Sequence, residues 1–182
     1  MRSIRKSIIH TIVVRGTFDG ALRHNRIYKE RTTTIQRKAV REHLSKELEH
    51  LLQRILNKKD YTDTDHYRAI AAFSSKVSGH KTFRAYLVNN KLKIGTAQKL
   101  INLYWKMSWL LKPGIKVPLH CPFDSIIIRE LDRSVRDIRW TRFDKIDDYK
   151  RLVAAVRQLS GSVSIAEWEL DTYYQKVVYD IS

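Results

Sequence analysis

Residues 95–113 read GTAQKLINLYWKMSWLLKP, and this stretch predicts the central helix of the fold. Apolar side chains at helical spacing occupy most of the circumference of this stretch. They predict a largely buried helix over residues 96–111 that stops before Pro113. The remaining polar positions form one narrow stripe, which consists of Lys99, Asn102 and Lys106. Polar groups on a buried helix must face a groove, a partner or a ligand, unless the lysines simply extend to water.

Helical periodicity recurs along the rest of the chain and predicts an all-α fold. The further predicted helices cover residues 33–57, 63–78, 125–131, 145–159 and 165–177. Their expected N-terminal caps are Thr33 with Gln36, Asp63, and Ser164 with Glu167.

The N-terminal region is less clearly patterned. Residues 4–14 are apolar and fit either a short helix or a strand, and residues 82–93 are equally ambiguous. Residues 15–31 contain Gly16, Gly20 and many cations, which predicts a loop-rich or short-helical basic segment. Since no repeat or linker interrupts the chain, we expect a single compact helical domain spanning residues 1–182.

The charge balance indicates a polyanionic partner. Thirty-five Lys and Arg residues face nineteen Asp and Glu residues, which gives a formal net charge of +16. Such a surface repels itself, and the phosphates of nucleic acid relieve that repulsion. One cysteine, Cys121, makes no internal disulfide, and no apolar run reaches the length of a membrane span. We therefore expect a cytoplasmic protein that does not enter a membrane.

Two residues carry candidate chemistry. Lys99 stands among apolar walls with Lys106 nearby, an arrangement that disfavours the ammonium form and makes an amine nucleophilic. Asp124 ends the sequence HCPFD at residues 120–124 and precedes an apolar helix. It fits a plain N-cap and equally a catalytic carboxylate, because a capping carboxylate is fixed in place.

These features together resemble a known enzyme family. The order GTAQK at residues 95–99, a helix with Lys106 and Met107, a proline-bearing extended link and then Asp124 is similar to the helix-hairpin-helix DNA glycosylase superfamily. Gln98-Lys99 followed by Lys106-Met107 looks most like the archaeal 8-oxoguanine DNA glycosylases. The resemblance implies a helix-hairpin-helix-like element around Gly95, with Lys99 as the catalytic lysine and Asp124 as the catalytic aspartate.

The resemblance and the charge pattern together suggest the binding residues. The candidates for contact with DNA are Gly95, Thr96, Gln98, Lys106, Arg15, Arg23 and Arg26. The candidates for a base pocket are Asn102, Trp109, His120, Cys121 and Trp140. No residues have metal-ligand spacing and no cofactor motif is present, so neither a metal nor another cofactor is expected. The expected partner is double-stranded DNA with a flipped base, bound by a monomer.

The substrate and the reaction class remain open at this level. The base is either oxidised guanine or a hypermodified phage base such as glucosylated hydroxymethylcytosine, since the chain is also similar in size and helical build to small bacterial antiphage-defence glycosylases. Lys99 additionally allows an abasic-site lyase step. Other hypotheses are a non-enzymatic DNA-binding protein that uses the hairpin as a phosphate clip, and an RNA-binding accessory protein. The enzyme hypothesis requires Lys99 and Asp124 to meet across a cleft.

Overall fold

The central element of the fold is the helix that the sequence marks as buried, α4 (Ile94–Leu111). In a computed structural model that describes residues 2–23 and 25–177, it packs against the four helices α1 (Arg2–Leu22), α2 (Thr34–Asn57), α3 (Asp63–Gly79) and α6 (Ile146–Ser160). The short helix α5 (Ser125–Glu130) and the last helix, α7 (Ile165–Val177), pack against each other. The described residues contain no strand, so the all-α prediction is confirmed.

Local capping signals account for most helix starts. Thr33 and Gln36 form the predicted reciprocal capping box at the start of α2. At α3, however, the N-cap is Thr62 rather than the predicted Asp63, because Thr62 and Asp65 form a capping box of their own. Asp63 is thereby left in the first helical turn with its carboxylate free for tertiary contacts.

The N-terminal region differs from the prediction. Residues 15–22 belong to one long helix, α1, instead of the predicted loop-rich or short-helical segment. A β-carbon on Gly16 would lie 2.8 Å from the methyl carbon of Met107, and one on Gly20 would lie 2.9 Å from a methyl of Leu103. The two glycines therefore mark where α1 crosses α4 at close range, and are not turn signals.

The segment that precedes α4 consists of two short 3-10 turns, Phe83–Tyr86 and Val88–Asn90. It resolves the ambiguity of residues 82–93 in favour of tight turns instead of a full helix. Among the described residues, no helix is both long enough and apolar enough to cross a membrane.

Candidate active site

Two neighbouring residues on α4 fix the segment that carries Asp124. The side chain of Gln98 is fully buried, and its Nε2 donates to the carbonyl oxygen of Phe123 at 2.9 Å. The Phe123 N–H donates back to Oε1 of Gln98 at 3.2 Å. One position further along both segments, Nζ of Lys99 lies 3.1 Å from Oδ2 of Asp124. The predicted meeting of Lys99 and Asp124 is confirmed.

The two oxygens of Asp124 have separate contacts. Oδ1 accepts the backbone N–H groups of Ile126 at 2.9 Å and of Ile127 at 3.1 Å, which makes Asp124 the N-cap of α5. Oδ2 is left for Lys99. The capping bonds hold the carboxylate in one orientation, so the capping role is compatible with a chemical role for this residue.

Lys99 lies in an apolar setting. It is only 5% exposed, and Nζ sits 4.2 Å from the centre of the Trp140 ring. Burial lowers the pKa of Lys99 below that of an ordinary lysine, although the nearby carboxylate of Asp124 opposes this shift. The result is an amine whose free form is more accessible than that of a surface lysine.

A second ion pair lies further along the same side of α4. Nζ of Lys106 is 2.9 and 2.6 Å from the two carboxylate oxygens of Glu169 on α7. Burial raises the pKa of Glu169, and Lys106 counteracts that rise. The sequence analysis missed Glu169, but a signal was present: it lies four residues after Ile165, on the buried face of an amphipathic helix.

Both pairs open into one cleft of about 710 Å³. Its wall next to α1 is formed around Gly16, Gly20 and Arg23, where the two glycines let α1 lie close to Met107 and Leu103. Rings and aliphatic side chains complete the lining, among them Leu103, Met107, Leu110, Trp140 and Tyr173. The cleft thus combines an apolar, aromatic lining with both ion pairs at its wall, a composition typical of small-molecule or base pockets.

Gly95 and Thr96 do not present free groups to a phosphate. The N–H of Gly95 donates to the carbonyl oxygen of Phe143 at 3.2 Å, and the Thr96 hydroxyl accepts from Nδ2 of Asn25 at 2.8 Å. A β-carbon on Gly95 would overlap with the carbonyl oxygen of Trp140. The glycine is therefore required by a close backbone contact inside the protein, and its predicted phosphate contact is wrong.

The other predicted DNA contacts divide into buried and exposed residues. Gln98 and Lys106 are buried and engaged with Phe123 and Glu169, so their prediction as phosphate contacts is also wrong. The three arginines Arg15, Arg23 and Arg26 are exposed, and Arg23 lines the cleft. Arg15 instead lines a separate groove between α1 and α2, and Arg26 lies 3.6 Å from Glu30.

Three predicted base-pocket residues, Asn102, His120 and Cys121, lie in the interior and are fully buried. Nδ2 of Asn102 donates to the Cys121 carbonyl oxygen at 2.8 Å and to the Tyr149 hydroxyl at 2.9 Å. Nδ1 of His120 lies 2.9 Å from the same hydroxyl. Because these groups satisfy one another in the core, their assignment to a base pocket is wrong.

The two tryptophan candidates have different positions. Trp140 lines the cleft, as a base-stacking residue must, whereas Trp109 is half-buried on α4 and lies outside the cleft lining. In the described part of the chain, no group of three or more His, Cys, Asp and Glu side chains is arranged to hold a metal ion.

Comparison with known proteins adds no relative. No protein-family model, no curated protein and no solved structure matches this chain.

Proposed function

We propose that this protein is a DNA glycosylase that excises a damaged or modified base, with Lys99 and Asp124 as its catalytic residues. The observation that carries the proposal is the 3.1 Å contact between Lys99 Nζ and Asp124 Oδ2 at the wall of an open cleft. The net charge of +16 supports DNA as the partner. The resemblance to helix-hairpin-helix glycosylases rests on the order of Gln98, Lys99 and Asp124. It agrees with DNA as the partner and with these two catalytic residues.

The chemistry needs a free amine and a fixed carboxylate. Asp124 lies close enough to accept a proton from the Lys99 ammonium, and the neutral amine then attacks the anomeric carbon of the flipped nucleotide. The bond from that carbon to the base breaks, and the base leaves with the proton that Asp124 has accepted, which returns Asp124 to its carboxylate form. The lysine-bound sugar opens to a Schiff base, which water hydrolyses to return the lysine and leave an abasic site. In the monofunctional alternative, Asp124 orients a water molecule that attacks the same carbon.

The lining of the cleft bears on the substrate. A volume of about 710 Å³ lies within the range of pockets that hold small molecules and accommodates a single nucleotide. Trp140 stands beside Lys99 and provides a ring on which a flipped base can stack. Oxidised guanine and a hypermodified phage base such as glucosylated hydroxymethylcytosine are both retained as substrates, because none of the lining residues selects between them.

Borohydride trapping tests the catalytic lysine directly. The protein is incubated with duplex DNA that carries an abasic site, and the Schiff base is reduced to a stable adduct. We expect an adduct with the unchanged protein and with Lys116→Gln, since Lys116 is exposed and contributes only its carbonyl oxygen, to Trp105. Lys99→Gln is expected to give none. An adduct that persists in Lys99→Gln shows that a different lysine reacts.

Base release tests the reaction itself. Plain, oxidised and phage-modified DNA are each incubated with the protein, and the released bases are identified by mass spectrometry. Release from one modified DNA, lost in Lys99→Gln and in Asp124→Asn, supports the proposal and names the base. Tight, salt-dependent binding without release from any of them contradicts the glycosylase and favours a non-enzymatic DNA-binding protein.

A further inference from the structure

Residues 129–142, which follow the catalytic aspartate, carry five arginines at nearly regular spacing: Arg129, Arg133, Arg136, Arg139 and Arg142. Three of them, Arg129, Arg136 and Arg139, line a pocket of about 440 Å³. The remaining lining is made by Ser125, Ile128, Ile138, Trp140 and Thr141, so no carboxylate faces this pocket. We refer to it as the arginine pocket.

The acids of this segment do not line the arginine pocket, although Asp132 interacts electrostatically with Arg136. Glu130 lies 3.6 Å from Lys176, and Asp137 lies 3.9 Å from Arg151. Asp132 accepts the N–H of Ser134 at 2.8 Å as a local cap. Within the described residues, the three pocket arginines consequently form no salt bridge. Three unpaired guanidinium groups around one concavity repel one another unless an anion joins them.

One of these guanidinium groups is held in place. Nε of Arg136 donates to the carbonyl oxygen of Leu131 at 2.8 Å, which leaves its two terminal nitrogens available. A planar guanidinium fixed in this way matches two oxygens of a phosphate group. Arg129 precedes Arg136 in the chain and Arg139 follows it. Both side chains are exposed, line the pocket and add positive charge without a fixed partner.

The arginine pocket adjoins the catalytic cleft. The two share the lining residues Ser125, Trp140 and Thr141, and Ser125 directly follows Asp124 in the chain. We propose that the arginine pocket binds backbone phosphates of the DNA strand whose flipped nucleotide enters the cleft. This inference rests on the proposed function, which identifies that strand as the one that is cut from its base. Trp140 then separates the subsite for the base from the subsite for the neighbouring phosphate.

A charge-neutral phosphate scan tests this contact. Single phosphates around a stable abasic-site analogue in duplex DNA are replaced, one at a time, by uncharged methylphosphonates, and affinity is measured for each duplex. The unchanged protein is expected to lose affinity at one or two positions next to the analogue. Arg129→Gln with Arg139→Gln, which leaves Arg136 in place, is expected to bind more weakly overall and to lose less affinity than the unchanged protein at those positions.

The matched control is Arg68→Gln with Arg84→Gln, which removes the same charge from two exposed arginines that line neither the cleft nor the arginine pocket. The slope of log affinity against log salt concentration is expected to flatten by about 1.8 in the pocket variant, because each phosphate that is no longer neutralised accounts for ~0.9. The control is expected to keep both its slope and its phosphate positions. Equal effects in the two variants overturn the proposal.

The outcomes separate this proposal from the catalytic one. If Lys99 is trapped by borohydride but no phosphate position depends on Arg129 and Arg139, the phosphate-binding role of the arginine pocket is contradicted. The glycosylase proposal then still stands. Arginine-dependent phosphate positions without base release from any DNA keep the pocket as a DNA contact and remove the glycosylase.

Discussion

Lys106 and Glu169 form an ion pair that is almost completely removed from solvent, with 8% and 2% of the two residues exposed. The pair joins α4 to α7 and lies beside the cleft that holds Lys99. A buried pair of this kind contributes little net stability, but loss of one partner leaves an uncompensated charge in the protein. Each residue of the pair therefore depends on the other for the stability of the contact between α4 and α7.

The Lys106–Glu169 ion pair predicts strong energetic coupling between substitutions of the two residues. Lys106→Met alone is expected to lower the free energy of unfolding by about 3 kcal/mol, since Glu169 is then left unpaired. Lys106→Met combined with Glu169→Leu is expected to recover most of that loss. Urea denaturation of both single variants and the double variant measures the coupling. Additive losses would show that the two side chains do not interact as described.

Asp124 allows the structural role to be separated from the chemical one. Asn caps helices about as well as Asp, so Asp124→Asn is expected to keep the cap and to lose only the ion pair with Lys99, while base release falls by about 100-fold or more. Asp124→Ala is expected to lose the cap as well, at about 1 kcal/mol. Thermal unfolding and single-turnover base release are measured on the same preparations. Full activity in Asp124→Asn would exclude the carboxylate from the reaction.

The pH dependence of trapping follows from the setting of Lys99. Burial lowers its pKa, so the free amine forms at a lower pH than in a surface lysine, whose pKa is about 10.4. We expect the initial rate of borohydride trapping to rise with pH and to level off below that value. The rate of Lys99→Gln at each pH is subtracted as background. A rate that climbs without a plateau through pH 10.4 would contradict a perturbed lysine.

The buried histidines predict a loss of stability in mild acid. Burial and the adjacent His120 lower the pKa of His66 to about 3, whereas an unfolded histidine titrates near 6.5. The unfolded chain therefore binds more protons between these values, so the stability that neutral His66 contributes is complete above about pH 6.5 and declines as pH falls towards 3.

Urea denaturation between pH 7 and pH 5 reduces the contribution of the carboxylates, most of which titrate lower. His66→Gln is expected to show a shallower decline than the unchanged chain across that window. Its amide is expected to donate to Asn102 in place of the ring nitrogen, which lies 2.8 Å from Oδ1 of Asn102. Identical slopes would mean that His66 already carries a proton in the folded protein.

Helical spacing along the chain predicted α2 to α7 but not α1. The meeting of Lys99 with Asp124 was predicted from the resemblance to helix-hairpin-helix glycosylases. Helical spacing located α4, and its polar stripe singled out Lys99. What the sequence did not reveal depends on contacts between distant segments. Gly16 looks like a turn residue until the side chain of Met107 is seen to occupy the space above it.

The same reason explains the errors in the binding residues. Asn102 and His120 are polar residues near the candidate site in sequence, and a base pocket is one place for such groups. A hydrogen-bond network inside the core is another such place. The position of Tyr149, whose hydroxyl bonds to both Asn102 and His120, decides in favour of the core network. Glu169 shows the converse, because its role depends on Lys106, 63 residues earlier in the chain.

The double hydrogen bond between Gln98 and Phe123 has a consequence for recognising distant relatives of this protein. It aligns Gln98 with Phe123, and the next residue of each segment, Lys99 and Asp124, is thereby brought together. The pair is placed by these local contacts and not by the 25-residue interval between its members. Insertions or deletions in the intervening loop can therefore be absorbed without moving the pair. A search for related sequences should weight Gln-Lys on an apolar helix and an aspartate at the next helix start, and should leave their separation free.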